Sequence, residues 1–250
     1  MLRPDDIGTD RSLTTLLDGR VQLMQPDKGY RTAIDAVFLA AFCLAENDDH
    51  VLDVGCGNGS AGFCLAARQP HVHVTGLELQ SEFSALAEQG VIANGFDCRY
   101  RIFNGDLLSA PRDIVDTLYD HVIANPPYMK SSDGNQPKHA NQITATVEGG
   151  ADLNDWLSFL LKRTKPGGTV TVIHRADRLP DIMAWFRDHH ASLTVLPILP
   201  TDDRPANRVL VRAVKSSKAR FQLRSGLVVH DGFGEYSEMA RKILLQAHSI

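Results

Sequence analysis

The stretch Val51-Leu52-Asp53-Val54-Gly55-Cys56-Gly57-Asn58-Gly59-Ser60 decides the fold of this 250-residue chain. It reads as a buried strand running into a glycine-rich turn and then a helix. Glycines at 55, 57 and 59 allow positive φ and let a ligand approach the backbone closely. The spacing is GxGxG, with Asp53 two residues before the first glycine. A dinucleotide site more often reads GxGxxG and aims a helix N-terminus at a pyrophosphate. An acid inside the loop repels phosphate and welcomes a cationic amino group, so the loop fits S-adenosylmethionine better than NAD.

Outward from this unit, apolar runs bounded by turn signals alternate with helical patterns. Strands are expected at His50–Val54, His71–Leu77, Arg99–Phe103, His121–Ala124, Thr169–His174, Ser192–Leu199 and Arg208–Val214. Helices are expected at Ser60–Arg68, Ser81–Asn94, Leu153–Thr164 and Leu179–His190. Such alternation implies right-handed crossovers and an α/β, Rossmann-like fold, with a mostly parallel sheet covered by helices on both faces. The last two strand candidates are joined by a loop without helical pattern. That predicts a closing hairpin and a seven-stranded sheet whose last strand is antiparallel. Ahead of the glycine loop, TTLLDGRVQLMQP (14–26) has an Asp18-Gly19 pair suited to a tight hairpin turn. Thr32-Ala33-Ile34-Asp35 can then cap a helix running to about Ala45, apolar nearly all round. The expected organisation is a hairpin and helix over 1–48, packed on a domain over 49–250. Residues 129–150, rich in Ser, Gly, Asn and Gln, form a loop of unusual length, and such loops carry function or move.

Composition excludes several classes. At 43% hydrophobic and 22% charged the chain is ordinary for a soluble globular protein and is not largely disordered. No apolar stretch approaches the roughly 18 to 20 residues of a membrane span, and the N-terminus lacks the apolar core of a signal peptide. Cys43, Cys56, Cys64 and Cys98 show no CxxC pairing and no His spaced as a zinc partner. They read as reduced thiols of a cytoplasmic protein, with no metal site. The net charge of −4 hides an asymmetry: the last 50 residues carry 9 basic and 5 acidic side chains, against 17 and 25 in the first 200. Between Arg204 and Arg224 there are seven basic residues (Arg204, Arg208, Arg212, Lys215, Lys218, Arg220, Arg224) and no acid. A local stripe of this kind attracts phosphates even on an acidic protein, or it is simply a solvated face.

Further acids follow successive strands. Glu78 ends the second strand 19 residues after Gly59, where a carboxylate can accept from both ribose hydroxyls of a nucleoside. Asp106, after the third, sits where a side chain can bind an adenine amino group. After the fourth strand comes Asn125-Pro126-Pro127-Tyr128. Methyl transfer to a planar amine needs a lone pair, delocalised into a ring or carbonyl, to be redirected at the methyl group. The Asn125 side-chain oxygen and the Pro126 carbonyl can each accept one N–H of that amine, and Asn125 also borders the cofactor. Pro126 and Pro127 hold the turn rigid and remove competing donors. Tyr128 offers a face on which a flipped base stacks, worth about 1–3 kcal/mol.

Together these residues resemble the class I S-adenosylmethionine-dependent methyltransferases: DVGCGNG is similar to their first motif, Glu78 to their second-strand acid, and NPPY to the signature of amino-methylating members. A narrower resemblance covers nearly the whole chain. GRVQLMQPDKGYRTAIDAVFLAAF, NPPYM, RPANRVLVRAVK and LVVHDGFGEYS are similar to the bacterial tRNA1(Val) (adenine-37-N6)-methyltransferase family. The resemblance implies Tyr30, Thr32 and Asp35 as neighbours of the cofactor's methionine end. Many relatives have Gly-Thr-Asp where this chain has Ala33-Ile34-Asp35, so only Asp35 carries over. It implies a tRNA partner, held by the stripe from Arg204 to Arg224, by loop 129–150 with Lys130 and Lys138, and by the N-terminal hairpin. Arg208 and Arg212 share one strand face, as a contact surface or as a structural ion-pair ladder.

The same NPPY chemistry serves a methyltransferase of a release-factor glutamine, but that family usually carries a longer helical N-terminal domain. A DNA adenine methyltransferase lacks its target-recognition domain here. A non-catalytic cofactor-binding module and a nicotinamide-dependent oxidoreductase are the remaining alternatives. His174 reads as structural, His189 and His190 as helix-end residues, Trp156 and Trp185 as core, and Cys56 as a small filler.

Overall fold

The computed structural model describes residues 11–26, 34–128 and 150–250. Strands β1 (Arg11–Leu16) and β2 (Val21–Pro26) form an antiparallel hairpin, and α1 (Asp35–Phe42) follows. The main sheet is built from β3 (His50–Val54), β4 (His73–Glu78), β5 (Tyr100–Asn104), β6 (Tyr119–Ala124), β7 (Thr164–Arg175), β8 (Ser192–Leu199) and β9 (Arg208–Val214). Between them run α2 (Ser60–Arg68), α3 (Ser81–Ala93), a short α4 (Arg112–Val115), α5 (Leu153–Arg163) and α6 (Leu179–Asp188). Two-residue strands β10 (Gln222–Leu223) and β11 (Leu227–Val228) precede α7 (Glu238–Gln246).

The seven expected strands are all present, in the order β8-β9-β7-β6-β3-β4-β5, and β9 is antiparallel to both neighbours. The expected count of seven is too low. Both β10 and β11 add parallel to the outer edge of β8, giving a sheet of nine strands among the described residues. The last strands in sequence are thus parallel, and the reversed strand lies inside the sheet. Helix α1 ends at Phe42 rather than near Ala45, and Ile34 at its start makes no side-chain cap bond.

Strand alternation sends side chains to two apolar layers. Val51, Ile123, Ile173 and Leu210 join α1, α2 and α7 on one face. Leu52, Val122, Val172 and Val211 join α4, α5 and α6 on the other. Helix α1 is buried from Ala36 to Phe42, which accounts for its all-round apolar sequence. Strand β9 grips both ends of this helix. Arg208 Nε lies 3.1 Å from Asp35 Oδ2 in the first turn, and Arg212 donates to the Phe42 carbonyl at 3.1 Å while its guanidinium covers the Phe42 ring. A cation suits the exposed carbonyls of a helix C-terminus. Of the two readings of this arginine pair, the geometry is the structural one.

The expected tight turn at Asp18-Gly19 is a four-residue loop, with Leu16 paired to Val21. Leu17, Asp18 and Gly19 all take positive φ, and Leu17 stays there because its side chain is buried in the core. The hairpin docks through Asn94 at the end of α3. Its Oδ1 accepts from Gln22 N–H at 2.8 Å and its Nδ2 donates to Gln22 C=O at 2.7 Å, so one side-chain amide imitates a strand neighbour. Asn94→Ala orphans both backbone groups. It is expected to lower stability by about 1–2 kcal/mol, read from urea unfolding.

Candidate active site

The glycine loop joins the carboxyl end of β3 to α2 with positive φ at Gly55, Gly57 and Gly59. Gly55 N–H donates to Leu77 C=O at 2.7 Å, and Asn58 Nδ2 donates to Met24 C=O at 2.9 Å, which fixes the loop to β4 and to the hairpin. A β-carbon on Gly55 would stand 2.6 Å from the Trp156 ring. Gly59 caps α2 and leaves room for Phe63, which would stand 2.5 Å from a β-carbon there.

Two buried carboxylates flank the loop. Asp53 Oδ2 accepts from Gly62 N–H at 3.1 Å. Burial pushes its pKa up to about 7; the Gly62 bond opposes this and nearby Glu78 adds to it. Glu78 accepts from Gly57 N–H through Oε2 and from Gln80 N–H through Oε1, each at 2.8 Å. Burial raises its pKa despite these backbone donors. Cys56 fills space against Gly76, and burial pushes its thiol well above the ordinary range, so it is no nucleophile.

These groups open onto a cleft of about 790 Å³, lined by Asp53, Gly55, Gly57, Glu78, Leu79, Phe83, Asn125, Pro127 and Trp156 among others. A second cleft of about 610 Å³ adjoins it, shares Gly55, Leu79, Pro127 and Trp156, and contains Asp106. Asp106 Oδ1 also accepts from Leu108 N–H at 2.9 Å. The residues fit a nucleoside with a cationic end. Apolar walls suit a base, and the two acids are held in the protein by backbone donors, leaving their charge to be met by a ligand.

Asp35, Pro126 and Tyr128 line neither cleft. Pro126 is buried. The Tyr128 hydroxyl lies 2.8 Å from Asp35 Oδ2 and 2.6 Å from Asn125 Oδ1. The Arg208 guanidinium covers one face of the Tyr128 ring at 4.6 Å. His174 packs edge-on against Tyr128 at 5.2 Å. Its Nδ1 accepts from Arg175 N–H at 2.9 Å, which puts the proton on Nε2, and burial lowers its pKa to about 4. A neutral, buried imidazole accords with a packing role.

Tyr30, Thr32, Ala33, Lys130 and Lys138 lie outside the described residues. The acid-free basic stripe does not form one surface. Arg208 and Arg212 turn inward onto α1, and Lys215 Nζ donates to the Leu161 and Thr164 carbonyls at 2.8 and 2.7 Å. Because β9 runs against β7, with Arg208 opposite Arg175 and Val214 opposite Thr169, Lys218 and Arg220 follow at the end of the sheet away from the clefts. Trp156 is buried as expected and also walls both clefts. Trp185 is only half-buried, stacked on His189 at 3.7 Å. Sequence reasoning missed Asn58, Asn94 and the site role of Trp156; a polar Asn within a glycine loop was the one available signal.

Clefts at the carboxyl ends of parallel strands, in a sheet with one reversed strand (β9) inside it, are the arrangement of the class I methyltransferases, and the chain is an S-adenosylmethionine-dependent methyltransferase with this fold. Residues 32–148 match the family model described as the methyltransferase small domain. The chain is 27% identical over 212 residues to the tRNA1(Val) (adenine(37)-N6)-methyltransferase of Aeromonas hydrophila, covering 83% of this chain and 86% of the relative. To the protein of the same name from Porphyromonas gingivalis it is 27% identical over 232 residues, covering 87% and 88%. A solved structure from Agrobacterium tumefaciens, of a protein named as a predicted O-methyltransferase, superposes with a TM-score of 0.68 at 25% identity, covering 84% of this chain and 94% of that one. Among the described residues no helix is long and apolar enough to cross a membrane.

Proposed function

We propose that the chain methylates the N6 amine of an adenine in tRNA. The observation carrying this reading is the position of Asn125-Pro126-Pro127-Tyr128 at the end of β6, with Asn125 and Pro127 lining the cleft that Glu78 and the glycine loop also line. S-adenosylmethionine supplies an electrophilic methyl on a positively charged sulfur. The chain's task is to hold the amine. The Asn125 side-chain oxygen and the Pro126 carbonyl accept its two N–H groups and favour a pyramidal nitrogen, whose lone pair then points at the methyl. Positioning and electrostatics supply the rate. The names of the curated relatives support adenine and tRNA over a protein amide.

The test is transfer of labelled methyl from S-adenosylmethionine to bulk tRNA from a strain lacking this protein, beside purified release factor, with nucleoside mass spectrometry on labelled RNA. The expected product is N6-methyladenosine. Label confined to the release factor would leave the chemistry and overturn the substrate.

Asp53 gives this reading a pH signature. With a pKa of about 7 in the free protein, it is half protonated at neutral pH. A cationic ligand end beside it favours the carboxylate, so binding releases a proton and tightens as pH rises towards and past 7. From pH 6 to 8 the Kd for S-adenosylmethionine is expected to fall about tenfold, as one group of pKa about 7 dictates. Calorimetry in buffers of different ionisation enthalpy should show up to about one proton released. Asp53→Asn should flatten the profile. In folding the sign is opposite: a raised acid pKa means this group's contribution to stability falls as pH climbs from about 4 through about 7.

A further inference from the structure

We propose that Asp35 and Arg208 serve the acceptor rather than the cofactor: Asp35, by accepting the hydrogen bond of the Tyr128 hydroxyl, turns the Asn125 amide so that its oxygen faces the cleft. The inference rests on Asn125 as the holder of the target amine.

A tyrosine hydroxyl carries a single proton, and among the described residues Asp35 Oδ2 at 2.8 Å and Asn125 Oδ1 at 2.6 Å both stand within reach of it. A hydrogen bond to a charged acceptor is roughly twice as strong as one between neutral groups, so the hydroxyl donates to the carboxylate and keeps its proton. The Tyr128 oxygen is then an acceptor. Two acceptors at this distance repel, and the amide relieves the contact by a half turn about its last bond, which brings Nδ2–H to the tyrosine oxygen. The same half turn carries Oδ1 to the other side of a side chain that lines the cleft. An amine there meets an acceptor instead of a donor.

Arg208 holds this relay in place. Its Nε pairs with the same Asp35 oxygen at 3.1 Å, and its guanidinium lies 4.6 Å from the Tyr128 ring centroid. One planar cation thus fixes both the carboxylate and the ring, a task a lysine ammonium cannot reproduce. Asp35 lies outside the lining of the cofactor cleft, whose acids are Asp53 and Glu78. The relay joins three segments distant in sequence: the start of α1, the loop after β6 and the start of β9.

The test is a double-mutant cycle between Asp35→Asn and Tyr128→Phe, run on whichever acceptor takes label, with Kd for S-adenosylmethionine measured by calorimetry. In Asp35→Asn the side chain can donate to the tyrosine oxygen, the hydroxyl donates instead to Asn125 Oδ1, and the amine loses its acceptor. Expected results are a roughly thirtyfold fall in kcat, a Kd for the cofactor within about threefold, and little further loss when Asp35→Asn is added to Tyr128→Phe. Arg208→Lys should fall between wild type and Asp35→Asn and covers the case in which Asp35→Asn fails to fold. A tenfold or greater weakening of cofactor binding with kcat preserved at saturation would make Asp35 a cofactor ligand and overturn the proposal. So would equal losses from Asp35→Asn with and without the Tyr128 hydroxyl. Full activity in Asn125→Ala would remove the parent reading itself, which separates the two failures.

Discussion

Asn125→Ala is expected to lower kcat for methyl transfer about a thousandfold and to leave Kd for S-adenosylmethionine within about twofold. The asymmetry follows from what the side chain does. Asn125 borders the cleft, but Asp53 and Glu78 provide its charged walls, so truncation leaves the groups that hold the donor in place. The acceptor amine, by contrast, loses the oxygen that takes one of its two protons and orients its lone pair. Losing one aimed hydrogen-bond partner of a developing charge costs 10²–10³ in rate, and here orientation of the nucleophile is lost as well. Asn125→Gln keeps the amide but moves it out by about one methylene. A misplacement on the order of 1 Å is enough for about a hundredfold loss, so this variant separates position from chemistry. Single-turnover methyl transfer at saturating cofactor reads both. An Asn125→Ala protein with full activity would sink the mechanism.

Most of the main strands were legible because their buried apolar runs stand out, as in residues 51–54 and 209–211. Other parts of the sheet gave weaker signals. Gln222–Leu223 and Leu227–Val228 are too short to carry a pattern, and they exist only because the edge of β8 offers free backbone groups. The last helix is a different case. Ser237 caps it by accepting from Ala240 N–H, and Ala240, Ile243 and Leu244 follow at helical spacing, so its signal is present in the sequence although it is absent from the expected elements.

The site divides along the same physical line. Glycines, strand-end acids and NPPY are local motifs, and the structure brings Asp53, Gly55, Gly57, Glu78, Asn125 and Pro127 around one cleft. Charge direction is not local. A run of basic residues shows how much charge there is but not which way it points. Arg208 and Arg212 face inward because α1 covers that side of β9 with an acid at one end and bare carbonyls at the other. Asp35 illustrates the same limit. Among the described residues its side chain meets Tyr128 and Arg208, residues 93 and 173 positions away, which no local motif announces.

Glu78→Ala should weaken S-adenosylmethionine by at least two orders of magnitude. A carboxylate has about four lone-pair positions and can accept more than one bond on each oxygen; with backbone donors at Gly57, Gln80 and Leu79 it retains capacity for ribose hydroxyls. Two hydrogen bonds to a charged acceptor are worth about 3–6 kcal/mol together, or roughly 10²–10⁴ in Kd. The substitution also orphans Gly57 N–H, whose partner holds the middle of the glycine loop in its positive-φ path, so the loss reaches the loop as well as the ligand. Glu78→Gln distinguishes these contributions. Its amide oxygen can keep one backbone donor, but its nitrogen cannot accept from the second, and the charge is gone; a loss of about ten- to a hundredfold is expected. Calorimetric Kd values for the two variants, with thermal unfolding as a control, test the assignment. Wild-type affinity in Glu78→Ala would mean that the ribose is held elsewhere and that Glu78 serves only to brace the loop.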